Sequence, residues 1–145
     1  PSLLVLDGDE LPPLRPAGAP AAENRCADGG YVVAEADGPR RATLIATGAE
    51  VALAMAARTR LAAERIAVAV VSLPCWNLFA RAGSAHHEAV LGSAMRFGIE
   101  AGSGFGWERW LGPGGVFLGC EDEGSADALT AEAIATAVRE RLVAA

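Results

Sequence analysis

Two glycine-containing stretches stand where chemistry could be done. Thr47-Gly48-Ala49-Glu50 separates an apolar run from one of helical composition. Backbone N–H groups at a helix start can hold an anion there. A single glycine, no following Lys and the acid Glu50 fit better with a tight turn whose carboxylate complements the positive helix end. Gly102-x-Gly104-x-Gly106 also follows an apolar run. It is not G-x-G-x-x-G, and its spacing suits a backbone passing close to a neighbour such as another subunit. Thr47, Gly48, Gly102 and Gly104 form the candidate small-anion site, with a structural turn as the competing reading.

The remaining reactive types are sparse. His86 and His87 are adjacent, so on a helix they point about 100° apart and cannot share a metal as an i, i+4 pair would; a surface pair is expected. Cys26, Cys75 and Cys120 lack a C-x-x-C pair and have no His or Lys nearby in sequence to lower a thiol pKa. They read as reduced thiols of an intracellular protein. Glu121-Asp122-Glu123 reads as a solvated loop and Asp7-Gly8-Asp9 as a turn. No residue is assigned to catalysis, to a cofactor or to a metal. Trp76, Trp107 and Trp110 are a large share of the aromatic area, and the last two share a face of a helical turn. They anchor either the core or an interface, and all three are candidate interface residues.

Strands and helices alternate around these residues. Residues 3–6 read as a buried strand and residues 13–29 as a Pro- and Gly-punctuated linker. Strands are expected at 30–35, 42–47, 67–73, 95–100 and 115–119. Helices are expected at 49–64, 76–82 and 84–91, with one turn near 106–110. On the 49–64 helix, Val51, Met55, Arg58 and Leu61 make the stripe. Thr130 caps a last helix with Ile134, Val138 and Leu142 on one face. Short connections between alternating elements predict helices on both faces of a mostly parallel sheet.

Bulk properties bound the function. The chain has 145 residues, 52% hydrophobic and 21% charged, enough for one domain with a real core. Its net charge is −6 with no basic cluster, which excludes nucleic acid as the expected partner. No apolar run approaches the roughly 20 residues of a membrane span, and a cytoplasmic location is expected. The opening Pro1-Ser2-Leu3-Leu4-Val5-Leu6 has no basic flank, unlike a signal peptide.

Several motifs in order resemble the transketolase family. Thr43-Leu44-Ile45-Ala46-Thr47-Gly48-Ala49-Glu50-Val51-x-Leu53-Ala54 is similar to the family's T-L-I-A-T-G-S-E-V-x-L-A. Val70-Val71-Ser72-Leu73-Pro74, Glu88-x-Val90-Leu91, Glu100-Ala101-Gly102 with Gly106-Trp107, and Thr130-Ala131-Glu132-Ala133-Ile134 continue the resemblance. It implies the third, C-terminal domain: a three-layer α/β/α unit around a five-stranded mixed sheet. It divides the chain into residues 1–12, a strand left from the preceding pyrimidine-binding domain, the 13–29 linker and the 30–145 domain. Thiamine diphosphate and magnesium would belong to the parent enzyme, bound by domains upstream of this one. The implied partners are a second subunit, as a homodimer, and the catalytic domains. The family's S-R-Q-N-L-P is matched by Asp7-Gly8-Asp9-Glu10-Leu11-Pro12, with Gly8 where the phosphate-gripping Arg stands.

Three functions compete. The chain is a non-catalytic assembly domain of a transketolase-like enzyme, a free-standing small-anion module, or part of a degenerate paralogue that has lost ketol transfer.

Overall fold

The computed structural model describes residues 11–14, 24–119 and 128–144. The expected strand at 3–6, the Asp7-Gly8-Asp9 turn, most of the linker, Cys120 and residues 121–123 lie outside them. The elements run β1 (Tyr31–Ala34), β2 (Ala42–Ala46), α1 (Glu50–Ala63), β3 (Val68–Ser72), α2 (Trp76–Arg81), α3 (Ser84–Leu91), β4 (Met95–Glu100), α4 (Glu108–Leu111), β5 (Val116–Gly119) and α5 (Ala131–Val143).

The five strands form one mixed sheet in the order β1-β3-β2-β4-β5. β2 is central and parallel to both neighbours, with Leu44 opposite Val70 on β3 and Phe97 on β4. β5 continues the parallel set beside β4. β1 alone is antiparallel, against β3, with a register irregularity between Val32 and Ala34.

Alternation along the strands divides the core in two. Ala42, Leu44 and Ala46 of β2, with Val68, Val70, Phe97 and Ile99, face α1 and α5. Ile45, Val71 and Leu73 face the other way, toward α2, α3 and α4. Every residue of β2 and β3 is buried, which is why these segments read as continuous apolar runs rather than alternating ones. The result is the expected α/β/α sandwich.

α1 corrects one expectation. Its buried residues are Val51, Ala54, Ala57 and Leu61; Met55 and Arg58 are only half-buried. The alanines let the helix axis approach the sheet and α5. Arg58 instead reaches two carbonyls, Val68 O at 3.2 Å and Glu35 O at 2.6 Å. At α5 the cap is as read: Thr130 Oγ1 accepts from the Ala133 N–H at 3.1 Å. Such a cap contributes about 1 kcal/mol. Ile134 and Val138 are buried below it and Leu142 packs at the edge.

Candidate functional site

Because β2 and β4 are adjacent and parallel, their carboxyl ends bring Thr47 and Glu100 together. The Thr47 hydroxyl donates to Glu100 Oε2 at 2.9 Å. Burial pushes the Glu100 carboxyl above its ordinary pKa; the Thr47 bond opposes this and the charge of Glu50 adds to it. Glu50 stands in the first turn of α1, whose N-cap Ala49 makes no side-chain bond. A β-carbon on Gly48 would stand 3.7 Å from Glu50 Oε2, and one on Gly102 would stand 3.6 Å from Glu100 Cγ. Thr47, Gly48 and Gly102 therefore do gather at one end of the sheet, but around two carboxylates and an already engaged hydroxyl. That set does not suit a diphosphate or any other small anion, which both acids repel.

Gly104 has a different neighbour. A β-carbon there would stand 2.8 Å from Phe117 Cδ1, so the close approach this glycine permits is to its own chain. Gly106 adopts φ +84°, and a β-carbon on it would lie 3.2 Å from Trp76 Cζ3.

The tryptophans form one aromatic layer under α2, α3 and α4. Trp76 meets Trp107 edge-on at 5.3 Å and Trp110 at 6.1 Å. Trp110 packs on Phe79 at 5.1 Å and Trp107 on Phe117 at 5.7 Å. Trp107 and Trp110 are 2% and 4% exposed, so both belong to the core of this chain. Trp76 is half-buried and keeps an outward edge.

His86 and His87 are half-buried rather than on the surface. The His86 ring meets Phe79 edge-on at 5.6 Å and the His87 ring lies tilted against it at 4.6 Å, and each Nε2–H donates to a backbone carbonyl, of Gly30 and Phe79 respectively. The pair ties α3 to α2 and to the chain entering β1. Among the described residues no three His, Cys, Asp or Glu side chains gather as a metal site. Cys26 is exposed and Cys75 half-buried, both free thiols.

A second polar cluster was missed in the sequence. The last carbonyls of α3 are met by Arg40 Nη1 on Val90 O at 2.9 Å, Thr43 Oγ1 on Leu91 O at 2.9 Å and Arg96 Nη2 on Gly92 O at 2.6 Å. Arg96 Nη1 also donates to Trp110 O at 3.0 Å. Cations at a helix carboxyl end satisfy its unpaired carbonyls and its dipole. Arg40 is further fixed by Glu35 at 2.6 Å, and that bond holds the Glu35 carboxyl below its ordinary pKa. The donors come from two segments, the entry to β2 and β4, about fifty residues apart in sequence, so no local motif announces them.

Comparison with known proteins places this geometry. Residues 29–138 match the family model described as the transketolase-like TK C-terminal domain. The chain is 49% identical over 120 residues to a transketolase of Sinorhizobium medicae, covering 82% of this chain and 17% of that one. It is 44% identical over 151 residues to a transketolase of Cereibacter sphaeroides, covering 98% and 22%. A solved transketolase from Leishmania mexicana superposes with a TM-score of 0.71 at 29% identity over 81% of this chain and 18% of that one. The fold also matches, with a TM-score of 0.66 at 23% identity, a split-gene transketolase described as an inactive beta4 tetramer, over 92% of this chain and 47% of that one. The chain thus spans about one fifth of the length of the full relatives it matches. No described helix is long and apolar enough to cross a membrane. On the match across most of its length and on the identity to these relatives, the chain belongs to the transketolase family, as its C-terminal domain.

Proposed function

We propose that this domain serves assembly in a cytoplasmic, dimeric transketolase-type enzyme and does no chemistry itself. The parent reaction is transfer of a two-carbon ketol unit between sugar phosphates, with thiamine diphosphate and magnesium held by the upstream domains. One observation carries the non-catalytic reading. The strand ends where a parallel sheet normally takes a ligand carry Glu50 and Glu100 about an engaged Thr47, and the richest polar network is spent on backbone carbonyls of α3. The same acids disfavour the reading as a free-standing anion module.

The test is a chimera in which residues 29–138 replace the matching segment of the Sinorhizobium medicae transketolase. Ketol transfer within a few-fold of that parent is expected, with none from the 145-residue chain alone. A folded chimera of native subunit number without activity would overturn the reading.

Gly8 at the position of the family's phosphate-gripping Arg favours a second reading, a paralogue with weakened transfer. Restoring the cation with Gly8→Arg in the full parent separates the two. A lowered KM for phosphorylated sugars supports the paralogue reading, and an unchanged KM rejects it.

A further inference from the structure

The amino ends of β4 and β5 leave a crevice of about 330 Å³, lined by Ser93, Met95 and Arg96 at the start of β4 and by Leu111, Pro113 and Gly114 before β5. Both strands run parallel to β2, so the crevice lies at the end of the sheet opposite Thr47 and Glu100. None of the described residues lining it is acidic, and Arg96 is its one charged group. The Arg96 side chain is half-buried. Its Nη1 donates to Trp110 O at 3.0 Å and its Nη2 to Gly92 O at 2.6 Å. A guanidinium carries five N–H groups, so three remain without an acceptor among the described residues. No described carboxylate acts on it, and burial alone pulls its pKa below the ordinary arginine value. A partly desolvated cation is costly unless a counter-charge and further acceptors are supplied.

We infer that this crevice binds a small phosphate monoester, its phosphoryl group on the unspent donors of Arg96 and its carbon skeleton against Met95, Leu111 and Pro113. The Ser93 hydroxyl, at the exposed mouth, adds a donor. Gly114, at φ +78°, faces open space: a β-carbon there would meet nothing within 4 Å, so a ligand can approach the turn closely. Three guanidinium donors and a hydroxyl exceed the pair that a carboxylate takes side by side from an arginine. They match the terminal oxygens of a phosphoryl group. One cation with no second behind it suits a single phosphoryl group rather than a diphosphate. The site adds a ligand to the assembly domain and assigns it no reaction.

The experiment titrates phenyl phosphate into the isotope-labelled 145-residue chain and follows the Arg96 Nε–H and the Ser93, Gly112 and Gly114 amides by NMR. Benzoate and benzyl alcohol are the carboxylate and uncharged counterparts. Saturable shifts at these groups with a Kd below about 1 mM are expected, with benzoate and benzyl alcohol at least about tenfold weaker. Ser93→Asp sets an acid at the mouth and leaves the two Arg96 bonds to α3 and α4 in place. Its melting temperature should match that of the native chain while its affinity for phenyl phosphate falls at least about tenfold. Three outcomes overturn the inference: no saturable shift at these groups up to about 10 mM, benzoate bound as tightly as phenyl phosphate, or undiminished affinity in Ser93→Asp. Shifts confined to exposed arginines elsewhere, such as Arg41 and Arg65, count as the first.

Discussion

Trp107 occupies the space that a side chain at position 98 would need. A β-carbon on Gly98 would stand 2.6 Å from Trp107 Cε3 and 3.0 Å from Cζ3. The missing side chain on β4 is what lets the largest buried ring of the domain lie against the sheet.

Gly98→Ala should therefore destabilise the domain by about 1–3 kcal/mol through overpacking. The urea midpoint falls with the m-value unchanged. Gly98→Ala combined with Trp107→Leu should cost less than the sum of the single changes, because the smaller side chain makes room for the new methyl. Strict additivity would contradict the packing described.

Arg96 and Thr43 fasten the end of α3. Arg96→Met keeps most of the stem and removes the donors to Gly92 O and Trp110 O, costing about 2–3 kcal/mol. Thr43→Val removes a buried hydroxyl and its bond to Leu91 O, costing about 1–2 kcal/mol. Both should speed hydrogen exchange of the α3 amides well before those of β2. Uniform loosening of the whole sheet would argue against a local clasp.

Glu100 fixes the sign of one pH dependence. Its folded pKa is raised, first by burial. Such an acid contributes stability that is fully present below its unfolded pKa and is lost as pH rises through the folded value. Glu100→Gln keeps an acceptor for the Thr47 hydroxyl and removes the charge. Thermal melts should show the variant a few degrees more stable at pH 7 and level with the native protein near pH 4. A variant equally destabilised at both pH values would show that the carboxylate supports the fold instead.

The alternation of elements was readable because the buried strands are short apolar runs punctuated by glycine and proline, as in the Val68–Ser72 strand that stops before Pro74. Thr130 announced its helix through its own chemistry. The pairing of β1 was not readable: four residues carry no direction, and β1 lies antiparallel at the sheet edge beside β3, which separates it from β2. The α1 stripe was misread because alanine is a weak hydrophobic signal, yet Ala54 and Ala57 are fully buried. The tryptophans could not be assigned to core or interface from spacing. That choice depends on Gly98, Phe79 and Phe117, which come from β4, α2 and β5. The Thr47–Glu100 pair spans 53 residues and exists only because β2 and β4 are neighbours.

The most direct test asks whether this polypeptide holds the coenzyme at all. Thiamine diphosphate with magnesium is titrated calorimetrically into the 145-residue chain, with the full-length parent as positive control. No saturable heat from the chain and a clear isotherm from the parent are predicted. Stoichiometric, saturable binding by the chain alone, abolished by changes at Thr47 or Gly102, would contradict the assembly role and return the strand ends to the ligand.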